Sequence, residues 1–296
     1  MNHDVIIIGG SYAGLSAALP LARARRSVLV VDAGMRRNRF ASASHGFLTQ
    51  DGVPPGEVAA IARAQVAAYD TVQWADQRAE QVSGQADGFT VTLQDGSQHT
   101  GRRLILACGV SDALPEVPGL AERWGQQVFH CPYCHGYELM QGPVGVLATS
   151  ELSSHQALML PDWGPTTLFL NDRFSPDADM LAKLQARQVA IVPGPVARLE
   201  GDALNVVMQD GQRFALAGLF VATRIVPGSL AAQLGCALED SPMGPFVKTD
   251  ALKSTTVPGV FACGDLARPA GSVALAVGDG AMAGTATHRS LMFGLD

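Results

Sequence analysis

The sequence predicts an α/β protein of two three-layer domains, with the middle domain inserted into a split outer one. Three observations carry that expectation. A strand, a glycine-containing turn and a helix occupy residues 4–18, and a second strand ending in Asp32 follows. A middle segment repeats a degraded copy of the same plan around residues 144–170. A short apolar run closing on Gly264-Asp265 then returns to the first plan near the C-terminus. Such βαβ order puts a parallel sheet under helices on both faces, so both domains are expected to be Rossmann-like. The expected boundaries are 1–111 for the first part of the outer domain, 112–244 for the insertion and 245–296 for the second part.

Each element has a local reason. Residues 5–8 form an uninterrupted apolar run, as a strand buried on both faces should, and Ser27-Val28-Leu29-Val30-Val31-Asp32 repeats it after a basic helix end. Residues 35–56 are polar and glycine-containing, which predicts a long functional loop. Val58, Ile61, Val66 and Tyr69 recur at helical spacing over 55–69. Strand-like runs flank Asp87-Gly88 and Asp95-Gly96, and residues 103–109 return to a buried strand. Pro115, Pro118 and Gly119 mark the passage into the insertion. There, strands are expected at 144–148, 167–170, 189–192, 203–209 and 219–222, with a helix over 154–163. A last helix is expected over 272–291.

The 296 residues carry 21 Lys plus Arg against 27 Asp plus Glu, a formal charge of -6, so no electrostatic ground exists for a nucleic-acid partner. The N-terminus enters its first strand without a basic region, and no apolar stretch nears the roughly 20 residues that span a bilayer. The expected location is the cytoplasm. Five cysteines in a chain this long do not make a disulfide scaffold. Cys108, Cys236 and Cys263 stand singly in apolar contexts and read as buried small hydrophobes.

The first turn carries a dinucleotide signature. Gly9, Ser11 and Gly14 hold the three positions of a GxGxxG-like motif, with serine in the middle, and Ala13 lies within it. The helix N-terminus offers unpaired N–H groups to a pyrophosphate. Asp32, 18 positions past Gly14, is placed to accept from a ribose and would repel a 2'-phosphate, which points to FAD or NAD here. Gly264 and Asp265, followed by Ser272 and Val273 at a helix start, are candidates to orient diphosphate or ring atoms. Ala107 and Gly109 close the buried run 103–109 and complete the candidate cofactor residues from this part of the chain.

The sharpest local signal is Phe129-His130-Cys131-Pro132-Tyr133-Cys134-His135-Gly136-Tyr137-Glu138. Two cysteines at this spacing close a compact disulfide and allow thiolate attack followed by resolution. Zinc is the rival reading, but there is no second CxxC, and no metal is expected. Cys131 is the candidate substrate-facing nucleophile, Cys134 the flavin-facing thiol and His135 the acid/base. His130 and Glu138 can serve the same purpose or tune the histidine.

Together the turn over 9–14, the Cys131-Pro132-Tyr133-Cys134 motif and Gly259-Val260-Phe261-Ala262-Cys263-Gly264-Asp265 resemble the low-molecular-weight thioredoxin reductase family over nearly the whole chain. Residues 131–138 are similar to its dithiol oxidase branch, which closes disulfides in holomycin- and gliotoxin-type metabolites. The resemblance implies a homodimer, tightly bound FAD and a CxxC that exchanges electrons with the flavin. Ordinary thioredoxin reductases have an aspartate acid/base after the second cysteine, where this chain has His135. The resemblance also implies that Arg37, Asn38, His45 and Thr49 lie on the loop near the flavin.

A reductase of that family carries a second glycine-rich turn and a basic cluster for NADPH. The matching residues here are Ala148, Ser150 and Ser153, with Glu151 between them, and Asp172 precedes Arg173. The expectation is therefore weak or absent NADPH binding. The expected reaction is oxidation of a small-molecule dithiol to a disulfide, with oxygen as acceptor. The alternatives are a disulfide reductase fed by NADPH or another electron donor, with thioredoxin or a small disulfide as acceptor, and a noncatalytic flavin-binding redox sensor.

Overall fold

The computed structural model describes residues 2–295. Strand β1 (Asn2–Ile8) places Val5 and Ile7 in one core and Ile6 and Ile8 in another. Burial on both faces is why the run is continuously apolar. It leads into α1 (Tyr12–Arg23), β2 (Val28–Val31), α2 (Pro55–Ala67) and β3 (Val72–Ala75). A meander of β4 (Ala79–Gln85), β5 (Gly88–Leu93) and β6 (Gln98–Leu106) follows. β3, β2, β1 and β6 pair in parallel, while β4, β5 and β6 pair antiparallel.

The inserted segment repeats the plan with β7 (Val128–Phe129), α3 (Pro132–His135), β8 (Val144–Leu147), α4 (Ser153–Met159) and β9 (Thr166–Phe169). It continues through α5 (Ala178–Ala186), β10 (Ala190–Val192) and β11 (Gly218–Val221). Its five-stranded parallel sheet runs β10-β9-β8-β11-β7. Three short antiparallel strands, Val196–Glu200, Asn205–Met208 and Arg213–Ala215, precede β11.

The chain then returns to the first sheet. β12 (Val260–Ala262) pairs parallel with the C-terminal half of β6, Phe261 lying opposite Ile105. Helix α6 (Val273–Phe293) packs along α1 at very short range. A Cβ at Gly280 would run into the Ala13 carbonyl and one at Gly284 into the Ala17 carbonyl, while Ser16 Oγ donates to Val277 O at 2.6 Å. Small residues on both helices make that approach possible.

The chain forms two compact units: Met1–Arg39, Gly46–Ser111 and Ile225–Asp296 in one, Phe40–His45 and Asp112–Arg224 in the other. The return therefore falls at Ile225, not at 245 as the sequence led us to expect. Leu230, Ala231 and Cys236 pack into the core that holds Phe89, Val91 and Leu104 of the first unit. Gln233 Oε1 also accepts the Val82 N–H at 2.8 Å. Among the described residues no helix is long and apolar enough to cross a membrane.

Candidate active site

In the first unit the turn after β1 is shaped by close backbone approach. Gly9 has φ +109°, and a Cβ there would strike the Ala107 carbonyl; one at Gly14 would strike the Gly9 carbonyl. Both positions exclude any side chain, so the candidate turn is imposed sterically. Ser11 is the N-cap of α1, and its hydroxyl makes no capping bond, so its side chain satisfies none of the first-turn N–H groups. Gly10 sits against Asp32, which brings that carboxylate to the edge of the turn.

The long loop is tied to this turn through Tyr12. Its buried hydroxyl donates to Pro55 O at 3.1 Å and accepts from Asn38 Nδ2 at 3.1 Å. Burial raises the Tyr12 phenol above its ordinary range, against the hydrogen bond from Asn38. Asn38 Oδ1 is buried with no protein partner. Arg37 and Asp265 form a half-buried ion pair at 2.8 Å between residues 228 positions apart. Ser272 caps α6 by accepting from the Leu275 N–H at 3.2 Å, which leaves Val273 in the first turn. Ala107 is buried, Gly109 takes φ +65° and Thr49 takes φ +73° at an exposed position.

These features fit a dinucleotide cofactor such as FAD: a side-chain-free turn, a helix start without a side-chain cap and an orphaned buried amide oxygen near it. Among the loop residues expected near a flavin is His45. It belongs to the second unit, where its Nε2 lies 3.3 Å from Glu138 Oε1.

In the second unit Cys131 and Cys134 are joined in a disulfide with Cα atoms 5.3 Å apart. Cys131 is the N-cap of α3, Pro132 holds its first position, and the Cys134 N–H reaches Cys131 O at 3.3 Å. Proline suits that position because its missing donor would be unpaired there anyway. A Cβ on Gly136 would enter the Trp163 ring, so the chain must be glycine where it passes that indole.

His135 stacks on Phe129 with ring centroids 4.5 Å apart. Burial pushes its pKa below the usual histidine range; Glu138 opposes that shift and His45 adds to it. His135 is thus a neutral imidazole at pH 7. Phe129 is core, whereas Tyr133 and Tyr137 are 73% and 83% exposed beside the disulfide. Tyr133 meets Trp163 edge-on at 5.3 Å. Cys236 and Cys263 are buried as expected, but Cys108 is exposed. Among the described residues no group of three or more His, Cys, Asp or Glu side chains could hold a metal ion.

Comparison with known proteins decides the family. Residues 3–280 match the family described as pyridine nucleotide-disulphide oxidoreductase. The chain belongs to that family. Thioredoxin reductase sirT of Leptosphaeria maculans is 32% identical over 96% of this chain and 93% of its own. Thioredoxin reductase tcpT of Claviceps purpurea (strain 20.1) is 32% identical over 99% and 95%. A crystal structure of an oxidoreductase from Agrobacterium tumefaciens superposes with TM-score 0.96 at 57% identity, covering 99% of both chains. This pyridine nucleotide-disulphide oxidoreductase is accordingly an FAD-dependent thiol/disulfide oxidoreductase of thioredoxin-reductase-like type.

That finding corrects one expectation. Similarity to thioredoxin reductases along the whole chain argues against weak or absent NADPH binding. No residue of 148–153 adopts positive φ, so the backbone conformation of this turn makes no demand for glycine. Within it the Thr149 N–H donates to Ser153 Oγ at 3.0 Å. Asp172 is exposed, where solvent and salt screen its repulsion of a phosphate.

Proposed function

We propose that the chain is an NADPH-linked disulfide reductase whose acceptor is a thioredoxin-like protein or a small disulfide. The reading rests on one observation: a CxxC disulfide at the start of a short helix, with exposed Tyr133 within the motif and exposed Tyr137 after it, in a chain similar over its full length to thioredoxin reductases. The direction is the reverse of the dithiol-to-oxygen reaction expected from the sequence.

Gly9, Ser11, Ala13, Gly14 and Asp32 would hold the adenosine diphosphate part of FAD. Arg37, Asn38, Thr49, Ala107, Gly109, Gly264, Asp265, Ser272 and Val273 would complete its shell. FAD, when bound, supplies the carrier of the electron pair between nicotinamide and disulfide. Uptake of two electrons and two protons breaks the Cys131–Cys134 bond, one proton going to the Cys134 sulfur and the other to a neighbouring base, so that Cys131 is left as a thiolate. Cys131, as thiolate, attacks the acceptor's S–S bond, and one acceptor sulfur leaves with a proton. Cys134 then attacks Cys131 sulfur, re-forming the enzyme disulfide and releasing the second acceptor thiol. His135, neutral and beside Cys134, takes and returns the proton. Glu138, braced by His45, holds that imidazole's basicity up.

The test is flavin absorbance under nitrogen. One equivalent of NADPH should bleach the flavin within seconds, and thioredoxin or a small disulfide should restore the colour. Bleaching by excess dithiol alone, with peroxide formed on admitting air, would overturn the reductase reading in favour of dithiol oxidation.

A further inference from the structure

His130, the residue before Cys131, belongs to a string of polar side chains that the chemistry above does not use. Thr223, 2% exposed and just past β11, donates its hydroxyl hydrogen to Asp112 Oδ1 at 2.7 Å. A hydroxyl has a single hydrogen, so the Thr223 oxygen faces its other neighbour as an acceptor. That neighbour is His130 Nδ1, at 3.5 Å. The network therefore assigns the hydrogen to Nδ1 and leaves Nε2 with the lone pair. The backbone is held as well, since His130 O accepts from Gln156 Nε2 at 2.7 Å. His130 is the one residue between the end of β7 and Cys131. Both its ring and its carbonyl are thus fixed immediately before the nucleophile.

We propose that Asp112 and Thr223 are positioning residues for the thiol/disulfide reaction, acting through His130 to favour the thiolate of Cys131 over its thiol. Reduction of the disulfide by two electrons and one proton breaks the S–S bond and yields one thiol and one thiolate. A second proton then goes either to that thiolate or to His130 Nε2. The Asp112 carboxylate, reaching Nδ1–H through the Thr223 hydroxyl, stabilises the imidazolium and so draws the proton to the ring. An imidazolium next to Cys131 keeps its sulfur charged and nucleophilic, as cations beside reactive cysteines do. The inference rests on dithiol chemistry at Cys131–Cys134 and not on which nucleotide feeds the flavin.

The experiment uses the flavin-loaded protein without any nicotinamide. Wild type, Thr223→Val, Thr223→Ser and Asp112→Asn are reduced with dithiothreitol under nitrogen and desalted. Each is pulsed with iodoacetamide at pH 7, and alkylation of Cys131 is followed by peptide mass spectrometry. Thr223→Val should react about tenfold more slowly, the equivalent of one unit in the thiol's pKa. Thr223→Ser, which restores the hydroxyl, should fall within about twofold of wild type on the same scale. Wild-type reactivity in Thr223→Val would overturn the proposal. So would a Thr223→Ser as slow as Thr223→Val, since that result assigns the effect to packing. Should Thr223→Val fail to retain flavin, Asp112→Asn carries the test: slower alkylation supports the relay and an unchanged rate refutes it.

Discussion

Gly280 and Gly278 lie two residues apart on α6, and replacing each with alanine should move stability in opposite directions. In a helix interior alanine is favoured over glycine by about 0.8–1.0 kcal/mol. At Gly278 a Cβ would meet open space, so Gly278→Ala should keep that gain. At Gly280 the Cβ would lie 2.9 Å from both Ala13 C and Ser16 Cβ and would also overlap the Ala13 carbonyl oxygen. That obstacle is backbone and cannot rotate away, so α1 and α6 must separate. Overpacking of this kind costs about 1–3 kcal/mol, which exceeds the propensity gain. The expected net loss is up to about 2 kcal/mol, seen as a fall of up to roughly 3 °C in the unfolding midpoint. Because α1 begins at the candidate pyrophosphate turn, Gly280→Ala should also purify with less flavin per polypeptide, whereas Gly278→Ala should not. Circular dichroism melts and the flavin-to-protein absorbance ratio measure both effects. A Gly280→Ala protein as stable as Gly278→Ala would refute the reasoning, because helix propensity would then be the whole effect.

Three more outcomes follow from the geometry. Glu138→Gln removes the group that holds the His135 pKa up, so the acid limb of the pH–rate profile should move to lower pH; His45→Ala, removing an opposing influence, should move it to higher pH. An acid limb that stays fixed in both variants would mean that His135 is not the titrating base. Arg37→Met strips Asp265 of its half-buried partner and should cost about 1–2 kcal/mol, between the values for surface and buried pairs. The double variant Arg37→Met/Asp265→Asn should recover part of that in a thermal melt. Cys134→Ser leaves Cys131 without a resolving thiol, so turnover should fall to background. A one-to-one mixed disulfide with the acceptor should then be visible by intact mass, and its absence would reassign the attacking sulfur to Cys134.

Much of the architecture was legible in the residues because burial on two faces and close backbone approach write themselves into composition. The run 5–8, the turn over 9–14 and the CxxC could each be read locally. Strand β3 could not, since it lies at the sheet edge with Gln73 exposed and no residue fully buried. Helix α5 buries only Leu184 and so carries little apolar periodicity. The return at Ile225 was hidden because Leu230, Ala231 and Cys236 would suit either core equally well. The segment Phe40–His45 groups with the inserted unit through tertiary contacts, for which no local pattern exists. The second turn was misread from its missing glycines, although none of its residues adopts positive φ.

The pairing of α1 with α6 joins residues 12–23 to residues 273–293. During synthesis α1 leaves the ribosome well before the helix that covers its Ala13 and Ala17 face. A nascent or truncated chain therefore carries an uncovered groove beside its candidate dinucleotide turn, an exposed surface open to chaperones and proteases. Only a chain that includes α6 can seal it, so cofactor retention would double as a check that translation has passed that helix.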